Sequence, residues 1–187
     1  IAADEHPIIM VDNFRQGEQV LPIVEKQFIE LINNKLGIFL QALLVDVSGS
    51  MHGKDVIGVY TELDKHLSEL PGSKTLSGTF SDKIVFYQPE ELLKELQRTS
   101  FLSGGTEIVP ALQKLHEQLV KETPDTANIN FYVITDAGFS EEDWVRLREL
   151  EFFYEFYSIT FVAQDEWLDD DSRQSLEKFK RFKLLLL

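Results

Sequence analysis

The chain has 187 residues, enough for one domain with a sizeable core, and its 43% hydrophobic and 27% charged residues are ordinary for a globular protein. With 18 basic against 32 acidic side chains, its net charge of -14 argues against binding nucleic acid over its surface, where phosphates would be repelled. It has no cysteine, so it uses no disulfide and no thiolate metal site, and it suits a reducing compartment such as the cytoplasm. No stretch has the length of a membrane span and no signal peptide is visible; the chain begins at Ile1 rather than Met and reads as a fragment of something longer.

Residues Ile1 to Phe14 read as an irregular leader. From Glu18 to Lys35 the apolar residues Val20, Ile23, Val24, Phe28, Leu31 and Ile32 recur at helical spacing, and Gly37 closes that helix. Residues 1–36 are therefore expected to form a leader and helix that pack on, or precede, a domain over 37–187. "IFLQALLV", Ile38 to Val45, is almost continuously apolar, as a central parallel strand buried on both faces should be. Lys54 to Leu70 reads as a helix stopped by Pro71 and Gly72. Lys74 to Phe80 and Lys83 to Tyr87 read as two strands joined by a turn at Ser81 and Asp82. Pro89 opens a helix reaching about Arg98. After the loop "SGGT" come a helix over Ile108 to Val120 and a second apolar strand, Ile129 to Thr135. Ser140 caps a helix to Leu150, Tyr157 to Ala163 is a third strand, and Ser172 to Phe182 a closing helix. The terminal "FKLLLL" is open to three readings: a last strand, a docking edge or a truncation scar.

Strands that alternate with helices predict an α/β fold, Rossmann-like and doubly wound. Its sheet should be mainly parallel, with helices on both faces. The short Phe80–Lys83 connection permits only an antiparallel neighbour, so one edge strand should run the other way. In such sheets ligands sit beyond the carboxyl ends of the strands, where strand order reverses.

"VDVSGSM", Val45 to Met51, falls at such a strand end. If the chain continues extended, Asp46, Ser48 and Ser50 point the same way and converge, with Gly49 easing the turn. "SGGTE", Ser103 to Glu107, should open at the same rim and offers the Thr106 hydroxyl, while "ITDAG" ends the second buried strand with Asp136. Two carboxylates and three hydroxyls suit a hard divalent cation, and the absence of histidine and thiolate from the set argues against zinc and copper. Because hydroxyls are neutral, a cation held this way stays electron-poor and can accept an anionic ligand from outside.

"DVSGS", "GGT" and "TDA" resemble the metal-ion-dependent adhesion site of von Willebrand factor A-type domains, an Asp-x-Ser-x-Ser followed by a Thr and a later Asp. The resemblance covers about residues 37 to 182, and "GTFSDKIVF" is similar to that family's second and third strands. It implies a divalent cation, magnesium with manganese or calcium as alternatives, held by Asp46, Ser48, Ser50, Thr106 and Asp136. It further implies a partner protein that presents an Asp or Glu to the cation, and no enzymatic activity. Ala137 departs from the family pattern, which has glycine there; Gly138 follows it. "GGTEIVPALQKL" and "ITDAGFSEEDW" look closest to intracellular bacterial members, which accompany a metallopeptidase-like part or an AAA+ ATPase.

A rival from another class is a metal-dependent phosphatase or hydrolase, with Glu107 or His52 as the general base. A third reading is the accessory tail of a larger enzyme. His52 otherwise reads as an exposed loop histidine, and Glu107 as an acid favoured by the first turn of a helix. The acidic stretch Asp165 to Asp171 reads as a solvated loop leading into a helix, rather than as a second cation site. The aromatic run from Phe152 to Tyr157 reads as core.

Overall fold

The computed structural model describes residues 39–70, 73–101, 104–122, 128–150, 157–179 and 182–187. The leader and helix expected over 1–36 and most of the aromatic run at 152–157 lie outside them. The described residues all belong to one compact unit, Phe39–Leu187.

In chain order the elements are β1 (Phe39–Asp46), α1 (Val56–Ser68), β2 (Ser73–Phe80), β3 (Ile84–Tyr87), α2 (Pro89–Arg98), α3 (Ile108–Glu122), β4 (Asn128–Ile134), α4 (Glu141–Glu149), β5 (Tyr157–Ala163), α5 (Asp170–Lys178) and β6 (Lys183–Leu186). The six strands form one sheet in the order β3-β2-β1-β4-β5-β6. Every neighbouring pair is parallel except β2 with β3, so the antiparallel edge strand falls where the short connection required it. Ser81 and Lys83 close that connection, the Ser81 amide donating to the Lys83 carbonyl at 2.9 Å.

Strand β1 lies at the centre. Both alternating sets of its side chains, Leu40, Ala42 and Leu44 as well as Gln41, Leu43 and Val45, are buried, so both faces of the sheet are covered there. That explains the nearly continuous apolar run, broken only by the buried Gln41, since a strand with one wet face would alternate. The chain leaves β1 for β2 on one side and later returns to place β4 on the other. Strand order therefore reverses between β1 and β4, and the cleft at their carboxyl ends is the expected binding position.

The closing helix is shorter than its sequence pattern. It ends at Lys178 because Phe179 leaves helical geometry to bury its ring beneath α4. Trp144 of α4 stacks on Phe179 at 5.6 Å and 10°, and meets Phe161 of β5 edge-on at 5.6 Å. Phe182 fills the remaining side, 5.4 Å from Phe161. With both rings anchored, "KLLL" is delivered alongside β5 as a sixth, parallel strand. The terminal segment is therefore a strand, and it forms one edge of the sheet.

Candidate metal centre

The register of β1 and β4 builds the centre. Val45 lies opposite Ile134, so the residues that follow, Asp46 and Thr135, emerge side by side at the carboxyl edge. Asp46 is fully buried and Asp136 only 7% exposed. Thr135 donates its hydroxyl to Asp46 Oδ2 at 2.8 Å, and the Ser48 amide donates to Asp46 Oδ1 at 2.9 Å. Desolvation pushes the Asp46 carboxyl above the ordinary carboxylate value. The hydrogen bonds from Ser48 and Thr135 oppose that shift, and the charge of Asp136 adds to it. A buried carboxylate facing a second carboxylate wants a cation.

Ser48 and Ser50 do converge, with their hydroxyls 3.1 Å apart. They do not do so along an extended strand. Gly49–Met51 forms a single 3-10 turn, which folds Ser50 back over Ser48. The turn is needed because Met51 is completely buried and must leave the rim for the core. Gly49 also differs from expectation, since its Cβ position is open space and its φ is not left-handed. The left-handed residue of this loop is Gly53, at φ 81°.

The loop carrying Thr106 closes on the same turn from the other side. The Gly49 amide reaches the Gly104 carbonyl at 3.5 Å, and the Glu107 amide donates to the Ser81 carbonyl at 3.0 Å. Gly104 adopts φ 108°, and a Cβ there would sit 3.1 Å from Asp82 Oδ1, so glycine is required for this approach. Thr106 itself is half-buried. Ser103 lies outside the described residues. The structure thus brings the three predicted segments to one rim and joins Ser48 to Ser50 by one direct hydrogen bond.

After Asp136 the backbone turns sharply. Ala137 takes a left-handed φ of 56°, and the Gly138 amide returns to Asp136 Oδ1 at 3.2 Å. A left-handed conformation is strained for any residue with a Cβ, which is the physical reason a glycine suits this position in the pattern the sequence resembles. Ser172 of α5 donates to the Ala137 carbonyl at 3.2 Å and fastens the last helix to this loop.

Two participants escaped the sequence reading. The apolar pattern makes Thr135 only a strand residue, yet it is fully buried and its hydroxyl serves both Asp46 and the Ala137 amide. The helical pattern makes Lys54 only the start of a helix. Its ammonium lies 2.6 Å from Asp136 Oδ2 and 2.6 Å from the Ser50 carbonyl. Its position, four residues after Ser50 in a loop with no other lysine or arginine, was the available signal. The two general-base candidates of the hydrolytic reading, His52 and Glu107, are both exposed. The acids of 165–171 form a 3-10 turn and the start of α5, with Asp169 as its cap and Asp165 paired to Arg173 at 2.9 Å. Among the described residues no group of three or more acidic, histidine or cysteine side chains gathers as a metal site. The set at the β1–β4 rim has two acids, and its other oxygens are hydroxyls.

Six strands in this order, one of them antiparallel, with a loop cluster at the switch point, make the fold of von Willebrand factor A-type domains. Solved structures that share it include a von Willebrand factor type A protein from Catenulispora acidiphila, 12% identical, with a TM-score of 0.57 over 80% of this chain and 38% of that one. The manganese-loaded TRAP protein of Plasmodium vivax is 15% identical, with a TM-score of 0.57 over 80% of this chain and 68% of that one. The ArnB paralog VWA2 of Sulfolobus acidocaldarius is 17% identical, with a TM-score of 0.52 over 79% of this chain and 41% of that one. The chain therefore spans well under half the length of two of these three proteins. No family model and no curated protein matches the sequence.

Proposed function

We propose that this domain is a protein-binding module whose switch-point cleft holds a divalent cation, magnesium with manganese or calcium as alternatives. Asp46, Ser48, Ser50, Thr106 and Asp136 would be its ligands. The observation that carries this reading is the pairing of a fully buried Asp46 with a nearby Asp136 beside the touching hydroxyls of Ser48 and Ser50. The donor set is all oxygen, which matches hard cations. The rim also already accommodates positive charge, since an ammonium rests on Asp136. The manganese carried by the Plasmodium protein of the same fold is consistent with this chemistry.

The cation would supply a Lewis-acidic position at the surface. Asp46 and Asp136 at most neutralise it, and the hydroxyls add no charge. A partner's Asp or Glu can therefore complete its shell, which makes a protein contact rather than a reaction. The exposed positions of His52 and Glu107 agree with a module that performs no hydrolysis, because a general base is held in fixed geometry toward its water. A cysteine-free chain fits work in the cytoplasm.

Calorimetric titration of magnesium into the wild type and Asp46→Ala tests the reading. Saturable heat is expected for the wild type and none for the variant. Equal binding by both would sink it.

A further inference from the structure

Lys54 lies where a second positive charge is least expected beside a cation site. Its ammonium bridges two groups of that site at once, Asp136 Oδ2 and the Ser50 carbonyl, both at 2.6 Å. Asp136 has its other oxygen engaged by the Gly138 amide. Lys54 and Asp136 are largely enclosed, their side chains 22% and 9% exposed, so the pair is not a loose surface contact. The electrostatics around the pair extend to α5, because the charge of Lys54 also reaches Asp169, the cap of that helix.

We propose that Lys54 is the site's own built-in cation, which occupies Asp136 until a divalent ion displaces it and so sets the affinity for that ion. The inference rests on the metal-binding reading above. Like charges held a few ångströms apart in a partly enclosed site repel strongly. An ammonium on Asp136 Oδ2 and a divalent cation on the same carboxylate are therefore competitors, and the lysine has to swing away as the ion enters. Asp169 is the carboxylate already within reach of its field, and Ser172, three residues along α5, is bonded to the Ala137 carbonyl of the same loop. Without a metal the lysine keeps two carboxylates from facing each other uncompensated, and the rim stays folded.

The test is manganese and magnesium titration by calorimetry on the wild type, Lys54→Met and Lys54→Arg, with thermal unfolding in a chelator alongside. Lys54→Met is expected to bind manganese roughly tenfold or more tightly than the wild type, because the repulsion is gone. It should also melt at a lower temperature in the chelator, because Asp136 has lost its counter-charge. Lys54→Arg keeps the charge and should stay near the wild type in affinity. If the wild type binds and Lys54→Met binds equally or more weakly, the lysine is not a competitor and this inference fails alone. If neither binds, the metal-binding reading fails and takes this one with it. Should Lys54→Met fold poorly, the wild type still decides. The nitrogen-15 signal of the hydrogen-bonded Lys54 ammonium should shift or vanish when magnesium saturates the site, and an unmoved signal at saturation overturns the proposal.

Discussion

The Asp46 carboxyl is fully buried, and only neighbouring donors make that tolerable. Thr135 is one of them: its hydroxyl donates a hydrogen bond to Asp46 Oδ2 and accepts one from the Ala137 amide. Thr135→Val keeps the shape and removes both bonds. It is expected to cost about 1–3 kcal/mol, the penalty of leaving buried polar groups unpaired, as read by denaturant unfolding in a chelator. A loss within a few tenths of a kcal/mol of zero would mean that water replaces the hydroxyl. Asp46→Asn works in the opposite sense. It removes a buried charge that faces Asp136 while keeping a polar group for Ser48 and Thr135. The metal-free protein should melt at or above the wild-type temperature, and its response to magnesium should disappear.

At the scale of elements, the centre depends on how α4, β5 and the end of α5 are clamped. Trp144 is 2% exposed and touches Phe139, Phe161, Phe179 and Phe182. Phe139 belongs to the loop that follows Asp136, so the aromatic cluster adjoins the segment that carries Asp136. Ser140 caps α4 by accepting from the Asp143 amide at 3.1 Å, and acids fill the first turn where the helix dipole favours them. Trp144→Ala is expected to cost about 3–5 kcal/mol in a chelator melt or denaturant titration, the range for deleting a large buried aromatic ring. It should also weaken magnesium binding, because the loop of Asp136 loses its support. Full stability in the variant would show that the cluster repacks without the indole.

At the scale of the molecule, three separate loops meet only because the sheet is folded, so a ligand that binds them binds the native state alone. At magnesium a hundredfold above its dissociation constant, linkage adds about 2.7 kcal/mol. For a domain of this size that raises the melting temperature by about 5–10 °C, and a chelator reverses it. Differential scanning calorimetry with and without magnesium reads this directly, and a melting temperature indifferent to the ion contradicts the metal centre. No described helix is long and apolar enough to cross a membrane.

Most of the architecture was legible in the chain. The largely apolar runs at Ile38–Val45 and Ile129–Thr135 marked buried parallel strands, and the two-residue Ser81–Asp82 link forced an antiparallel edge. Local period and local turn chemistry carry such information, because they depend on neighbours in sequence. The oxygen-bearing residues at strand ends were legible for the same reason. The roles of Thr135 and Lys54 were not. A threonine at the end of an apolar strand looks the same whether its hydroxyl meets solvent or a buried carboxylate 89 positions away. A lysine at a helix start shows nothing of a carboxylate 82 positions away. The sixth strand stayed ambiguous because four leucines have no period, and only the anchoring of Phe179 and Phe182 beneath Trp144 put them beside β5. Residue type and local pattern placed Asp46 and Asp136 at the ends of apolar strands and Thr106 in a glycine-rich loop before a helix, all with oxygen donors. Tertiary structure alone decided which charges and hydroxyls face them, since those contacts join segments that only the folded sheet brings together.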